Sequence, residues 1–201
     1  MFYEPQNGHG LPHNPFNAIV TPRPIGWIST RSASGIDNLA PYSFFNATAY
    51  VPPQVMFAST GEKSDQDGTK DSVSNIRETG CFCVNIVGFD LKDAMNASSA
   101  MVDKAVDEFG VAKLEKAECQ TIPASRVKQS PAALECKMAD IIPLRGASNY
   151  LVLGEVVGVY IDDRMLDNGK LNLLRYKPLT RLGYRDYSHI DHIFSLNRPD
   201  D

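Results

Sequence analysis

Short apolar runs rich in β-branched and aromatic residues recur along the chain, separated by turn-forming clusters. Ile25 to Arg31 predicts a strand. Ser32-Ala-Ser-Gly35 and Asp37-Asn38 supply turn chemistry, because Gly, Asn and Asp tolerate unusual backbone angles. Leu39 to Tyr50 predicts a second strand, stopped by Pro52-Pro53, since proline has no N–H for a ladder. Val55 to Thr60 predicts a third, apolar enough for burial on both faces. After the polar loop Gly61 to Lys70, Asp71-Ser72 reads as a helix start and Gly80 as its stop. Val73 and Ile76, with Arg77, mark the inner face of that helix by three-and-four spacing.

Cys81 to Val87 is a continuous strand-like run broken only by Asn85. Leu91 to Met101 and Lys104 to Phe109 read as helical. Ala133 to Leu144 and Tyr150 to Ile161 predict two further strands, the second interrupted by Gly154 and Gly158, where bends or bulges are expected. Asp162-Asp163 to Gly169 turns the chain again. Strands outnumber helices and do not alternate with them. That favours a mainly β, antiparallel barrel with a few short helices over a parallel βαβ sheet. Residues 1–15 read as an extended N-terminal arm and residues 16–201 as a single domain.

Composition narrows the function classes. The chain has 201 residues, 43% hydrophobic and 22% charged, as in an ordinary globular domain. Its net charge of −4, with no basic run, disfavours a nucleic-acid partner. No apolar stretch approaches the ~20 residues of a membrane span, and the polar start of the chain has no signal-peptide core. Cys81, Cys83, Cys119 and Cys136 lack paired metal spacing and read as reduced, buried thiols of a cytoplasmic protein; no metal site is expected. His189-Ile-Asp-His192 reads as a solvated tail. Asn46-Ala-Thr48 and Asn96-Ala-Ser98 match the glycosylation pattern but carry no weight without a secretory signal.

Dinucleotide and P-loop glycine patterns, the Gly-x-Ser-x-Gly elbow and His-Glu-x-x-His are all missing from the sequence. Candidate chemistry lies instead in Phe57-Ala-Ser-Thr60 and Lys70-Asp-Ser-Val-Ser-Asn-Ile76. Two hydroxyls close a strand; a lysine and a hydroxyl then open a helix. Helix N-termini present free N–H groups and partial positive charge, which suits phosphate. Arg23, between Pro22 and Pro24, could add a guanidinium with little orientational freedom to lose. The plain alternative is an N-cap at Asp71 or Ser72 beside a solvated Lys70. Trp27, Phe44 and Phe45 fit either a core or a cofactor wall.

Several segments in order resemble one family. They are Pro22-Arg-Pro-Ile-Gly-Trp27, Asn38-Leu-Ala-Pro-Tyr-Ser-Phe-Phe-Asn46, Pro52-Pro53 with Val55-Met-Phe57, Lys70 to Ile76, and Gly154-Glu-Val-Val157. Together, from about Phe16 to Tyr187, they resemble the flavin reductase-like, FMN-binding split-barrel family, which includes flavoredoxins. The resemblance implies an antiparallel split β-barrel of Greek-key type and bound FMN. It places Arg23, Pro24, Ile25 and Gly26 along the flavin ring, and Tyr42, Ser43, Phe44 and Asn46 at its polar edge. Ser59, Thr60, Lys70 and Ser72 would hold the phosphate tail, and Tyr187 would be the C-terminal aromatic near the flavin. No protein side chain is expected to be catalytic, because the flavin carries the chemistry.

The activity so implied passes electrons from NADH or NADPH through FMN to flavin or another acceptor, small molecule or protein. A homodimer is implied too. Where short-chain relatives carry Gly-Asp-His for the nicotinamide, this chain has Ser148-Asn149-Tyr150. Relatives' Arg-Leu-Gly-Gly becomes Arg181-Leu182-Gly183-Tyr184. An electron carrier reduced by a protein donor is therefore the competing reading, and a non-redox barrel module the third.

Overall fold

The computed structural model describes residues 1–64 and 68–199. It is mainly β, with a few short helices. Seven strands build the main sheet: β1 (Gly26–Arg31), β2 (Asp37–Tyr42), β3 (Phe45–Tyr50), β4 (Pro53–Thr60), β5 (Cys81–Ile86), β6 (Ala132–Pro143) and β7 (Asn149–Ile161). Their spatial order is β2-β1-β5-β6-β7-β4-β3. Every neighbouring pair is antiparallel.

The two outermost strands are consecutive in the chain, joined only by Ser43 and Phe44. The sheet edges are thus tied together at that point. The Tyr42 ring of β2 lies 4.7 Å from the Phe57 ring of β4, and the Phe44 carbonyl accepts from the Ala58 amide at 2.8 Å. A Cβ on Gly26 would fall 2.7 Å from the Phe45 ring, so β1 can approach β3 only with glycine there. Ile28, Phe57, Phe82, Val84 and Val152 belong to one buried core cluster.

One expected strand is two. Leu39 to Tyr50 breaks at Ser43-Phe44 because the chain leaves β1 as its partner and takes up β4, with Phe45 opposite Phe57. Pro41 is tolerated because β2 is an edge strand. Val55 to Thr60 is not buried on both faces. Val55, Phe57 and Ser59 are buried, while Met56 and Ala58 are half-buried and Thr60 is exposed.

The helix Asp71–Thr79 ends at left-handed Gly80 (φ 70°), whose amide bonds to the Ile76 carbonyl. Val73 and Ile76 are buried in the core as expected. Arg77 is exposed, its guanidinium 4.6 Å above the Tyr150 ring, so it does not belong to the inner face.

The other helices are shorter than the apolar spacing suggests. Only Lys92–Ala97 is α-helical after a single 3-10 turn at Phe89–Leu91. Ser98 ends it, donating to the Met95 carbonyl and accepting from the Trp27 indole, both at 2.8 Å. Asp107 accepts from the Phe109 amide and starts the next helix late, at Glu108–Val111.

Gly154 and Gly158 sit at register shifts between β6 and β7, as bulges. A Cβ on Gly154 would lie 2.4 Å from Cζ of fully buried Phe82. Gly154→Ala is expected to cost about 1–3 kcal/mol by overpacking, read as a lower urea midpoint with unchanged slope. An unchanged midpoint would show that Phe82 yields freely.

Several pairings outside the main sheet went unforeseen. Lys116–Glu118 pairs with Ser125–Val127. A small sheet joins Arg23–Pro24, Leu179–Arg181 and Tyr187–His189. The latter takes His189 out of the expected solvated tail: it pairs with Leu179, and its ring lies 4.4 Å from that of Phe89. Among the described residues no His, Cys, Asp and Glu cluster could hold a metal, and no helix is long and apolar enough to cross a membrane.

Candidate functional site

The Ser43-Phe44 link that ties the sheet edges also forms one wall of a groove. A cavity of about 430 Å³ opens between Arg23, Tyr42, Phe44, Thr60, Lys70 and Arg181. A second, about 390 Å³, shares Pro41, Ser43 and Arg181 with it and reaches Ile25, Met95 and Tyr187. A smaller one of about 110 Å³ adjoins Tyr42 and Lys70 and is lined by Asn38, Ser72 and Glu108.

At one end the groove meets the helix Asp71–Thr79. Lys70, extended at φ −99° and ψ 161°, holds the cap position, and its side chain makes no capping bond. The Lys70 carbonyl accepts from Val73 (3.0 Å) and Ser74 (3.1 Å), which leaves the Asp71 and Ser72 amides ahead of the first helical bonds. Burial pushes the Lys70 ammonium pKa down. Asp71 puts a negative charge at the same end, and Lys63 is paired with it. Thr60 adds an exposed hydroxyl position on the groove wall. An ammonium destabilised by burial, next to a helix N-terminus, is an environment that an anion improves.

Ser72 faces inward. Its hydroxyl donates to Asn38 Oδ1 at 2.9 Å. The Asn38 amide donates to Glu108 Oε1 (2.9 Å), and the Leu39 amide to Glu108 Oε2 (3.0 Å). Burial raises the Glu108 carboxyl, against the pull of the Leu39 amide. The Tyr42 phenol is buried, and that burial raises its pKa. Among the described residues neither the Tyr42 nor the Ser59 hydroxyl has a formed hydrogen bond.

Arg23 is committed elsewhere. Its guanidinium donates to the carbonyls of Asn17, Val20 (2.5 Å) and Leu182 (2.7 Å). Only Nε has no partner among the described residues. Its pKa is lowered by burial and then by the charge of Arg181. Arg23 therefore staples Phe16–Ile19 and the Leu182 segment to the groove rather than offering a free charge. Arg181 is fixed in turn by the Tyr187 hydroxyl and the Tyr184 carbonyl, each at 2.5 Å, and lies 4.5 Å from the Tyr187 ring.

The expected site residues separate into two groups. Arg23, Ile25, Tyr42, Ser43, Phe44, Thr60, Lys70, Ser72 and Tyr187 line the connected cavities. Pro24, Gly26, Asn46 and Ser59 do not. Pro24 is exposed and paired with Thr180. Gly26 lies under Phe45. Asn46 is exposed, its side-chain oxygen accepting from the next amide, of Ala47. Ser59 points into the core. Trp27 and Phe45 are core residues, and Phe44 is the aromatic of that trio that reaches the groove.

Sequence reasoning missed Arg181, Pro41 and Met95 as lining residues. Arg181-Leu182-Gly183 was visible as a motif, but the pairing that brings Arg181 opposite Arg23 was not.

Known proteins share this fold. Residues 19–184 match the flavin reductase like domain. A protein of Aquifex aeolicus is 34% identical over 170 residues, covering 84% of this chain and 85% of its own. The crystal structure of nitrilotriacetate monooxygenase component B from Bacillus cereus superposes with a TM-score of 0.84 at 27% identity, covering 94% of this chain and 100% of that one. The Pseudomonas fluorescens 2-nitrobenzoate 2-nitroreductase superposes at 0.81 with 27% identity, covering 92% and 88%. The match spans residues 19–184, well over half of the chain, and on that ground the chain belongs to the flavin reductase-like family.

Proposed function

We propose that the groove binds FMN and that the protein is an oxidoreductase passing electrons from NADH or NADPH to flavin or another acceptor. The observation that carries this reading is the continuity of a long slot with a helix N-terminus where a half-buried Lys70 has no anionic partner among its described contacts. FMN has that shape: a planar ring and a terminal phosphate. When bound, it supplies two-electron acceptance and release.

The chain supplies position. Lys70, Thr60 and the first amides of Asp71–Thr79 hold the phosphate. The Pro41–Phe44 segment and Ile25 flank the ring, and Arg181 with Tyr187 closes the far side. The adjacency of Tyr42 to Phe57 across the two sheet edges supports reading the sheet as a split barrel of Greek-key type. Exposed Tyr50, Val51, Phe16 and Ile19 support a homodimer. Four free cysteines suit a reducing, cytoplasmic setting.

One observation favours the electron-carrier reading of the same site. At Ser148-Asn149-Tyr150, Ser148 is hydrogen-bonded to Glu62 at 2.5 Å and Asn149 donates to the Arg145 carbonyl at 3.0 Å. Neither residue lines the groove. Anaerobic addition of NADH or NADPH to FMN-reconstituted protein separates the two. Prompt bleaching of the flavin band is expected for a nicotinamide-driven reductase. Bleaching by dithionite alone would transfer the donor role to a protein. Absence of a flavin spectrum after reconstitution would overturn both.

A further inference from the structure

Past Tyr187 the groove opens into another pocket, of about 340 Å³, which shares Met95, Asn96 and Tyr187 with the Ile25 cavity. We propose that it binds an aromatic acid, its ring against Phe89 and His189 and its carboxylate on Lys92. Its use as the seat of a second substrate rests on the flavin reading; its recognition chemistry does not.

Two features on the pocket wall define that chemistry. The Phe89 and His189 rings stand 4.4 Å apart at 46°, both half-buried, and Leu179 and Met95 lie buried behind them. Such a wall takes a flat ring, and the pocket is of small-molecule size. The Lys92 ammonium lies 4.6 Å from the Phe89 ring centroid. Its ionic partner is Asp93 at 3.5 Å, whose side chain is 91% exposed, so the pair is screened and easily exchanged.

The surrounding charge points the same way. Arg181 and Arg185 line the shared cavity, and Asp93 is the acidic residue lining either one. This is a cationic patch on a chain of net charge −4. A ring with a carboxylate satisfies the stacked wall and the ammonium together. A neutral ring leaves the charge unanswered, and a small aliphatic anion leaves the wall wet.

Calorimetric titration of benzoate tests this, with benzamide as neutral isostere and acetate as ringless anion, on both flavin-free and FMN-loaded protein. Benzoate is expected to bind at least about tenfold more tightly than either control. Lys92→Met is expected to weaken benzoate at least about tenfold while moving the FMN dissociation constant less than about twofold. Equal binding of benzoate and benzamide, or unchanged benzoate binding in Lys92→Met, would overturn the proposal. So would a parallel loss of FMN, which would make Lys92 part of the flavin site. FMN binding is read separately by flavin absorbance. Failure of the flavin reading therefore shows as no FMN uptake with benzoate binding intact.

Discussion

Lys70→Met lowers FMN affinity by about 10- to 100-fold, or ~1.4–2.7 kcal/mol, and raises the melting temperature of the flavin-free protein. The two effects have one cause. Burial lowers the Lys70 pKa from the ordinary lysine value, so the native state holds that proton less tightly than the unfolded chain does. The charged lysine then costs stability in full below the lowered folded pKa, and the cost fades as pH rises from there to the unfolded pKa, above which it is gone. Methionine keeps the stem and removes the charge. A phosphate reverses the balance, because an ammonium hydrogen-bonded to an anion contributes about 1.5–3 kcal/mol. Scanning fluorimetry of the apo-proteins should show the gap between variant and wild type widest at neutral pH and narrowing in strong alkali. Equilibrium titration with FMN reads the other half. A variant that binds FMN as tightly as the wild type would remove Lys70 from the phosphate site. Ser72→Ala is a poorer probe, since that hydroxyl is already spent on Asn38.

Arg23→Met destabilises the protein by about 2–4 kcal/mol and weakens FMN binding without touching the phosphate end. Three carbonyls, of Asn17, Val20 and Leu182, lose a charged donor at once. The loss spreads along the chain because Gly183 lies against Ala18, so closely that a Cβ there would meet the Ala18 Cβ at 2.4 Å. Freed from Arg23, Phe16–Ile19 and the Leu182 segment separate together. Arg23→Lys retains a charge but not the fork and recovers part of the stability. Urea unfolding gives the magnitude, and limited proteolysis between residues 16 and 20 gives the location. A midpoint within ~0.5 kcal/mol of wild type would show that the staple is incidental.

The strands legible in the sequence were those whose signal is local. Cys81 to Val87 and Tyr150 to Ile161 are long apolar runs, and Gly154 and Gly158 mark bulges because a side chain there would strike Phe82 or Glu135. What misled was long-range. Nothing local to Ser43-Phe44 says that the chain changes partners there. Nothing in Ser98 announces that the Trp27 indole will bond to its hydroxyl and that the helix ends there.

The site shows the same division. Lys70 and Thr60 drew notice by their types and order and the Tyr42–Phe44 segment only through the family resemblance, and all of them line the groove. Arg23 lines the groove, but its partners lie on Asn17, Val20 and Leu182, and nothing near it in the sequence announced its role as a staple. Arg181 was invisible as a wall residue until Leu179–Arg181 was seen beside Arg23–Pro24.

The main sheet takes its last strand by Ile161, whereas the groove needs the chain as far as His189. In the order in which a ribosome delivers residues, the scaffold is therefore complete before its site exists. The emerging chain can pair the strands of the main sheet with one wall of the slot still missing. Assembly of the site is then a separate, terminal event, in which Leu179–Arg181 and Tyr187–His189 dock beside Arg23–Pro24. On the flavin reading, a chain cut before Leu179 is expected to pair the strands of the main sheet but to take up no FMN.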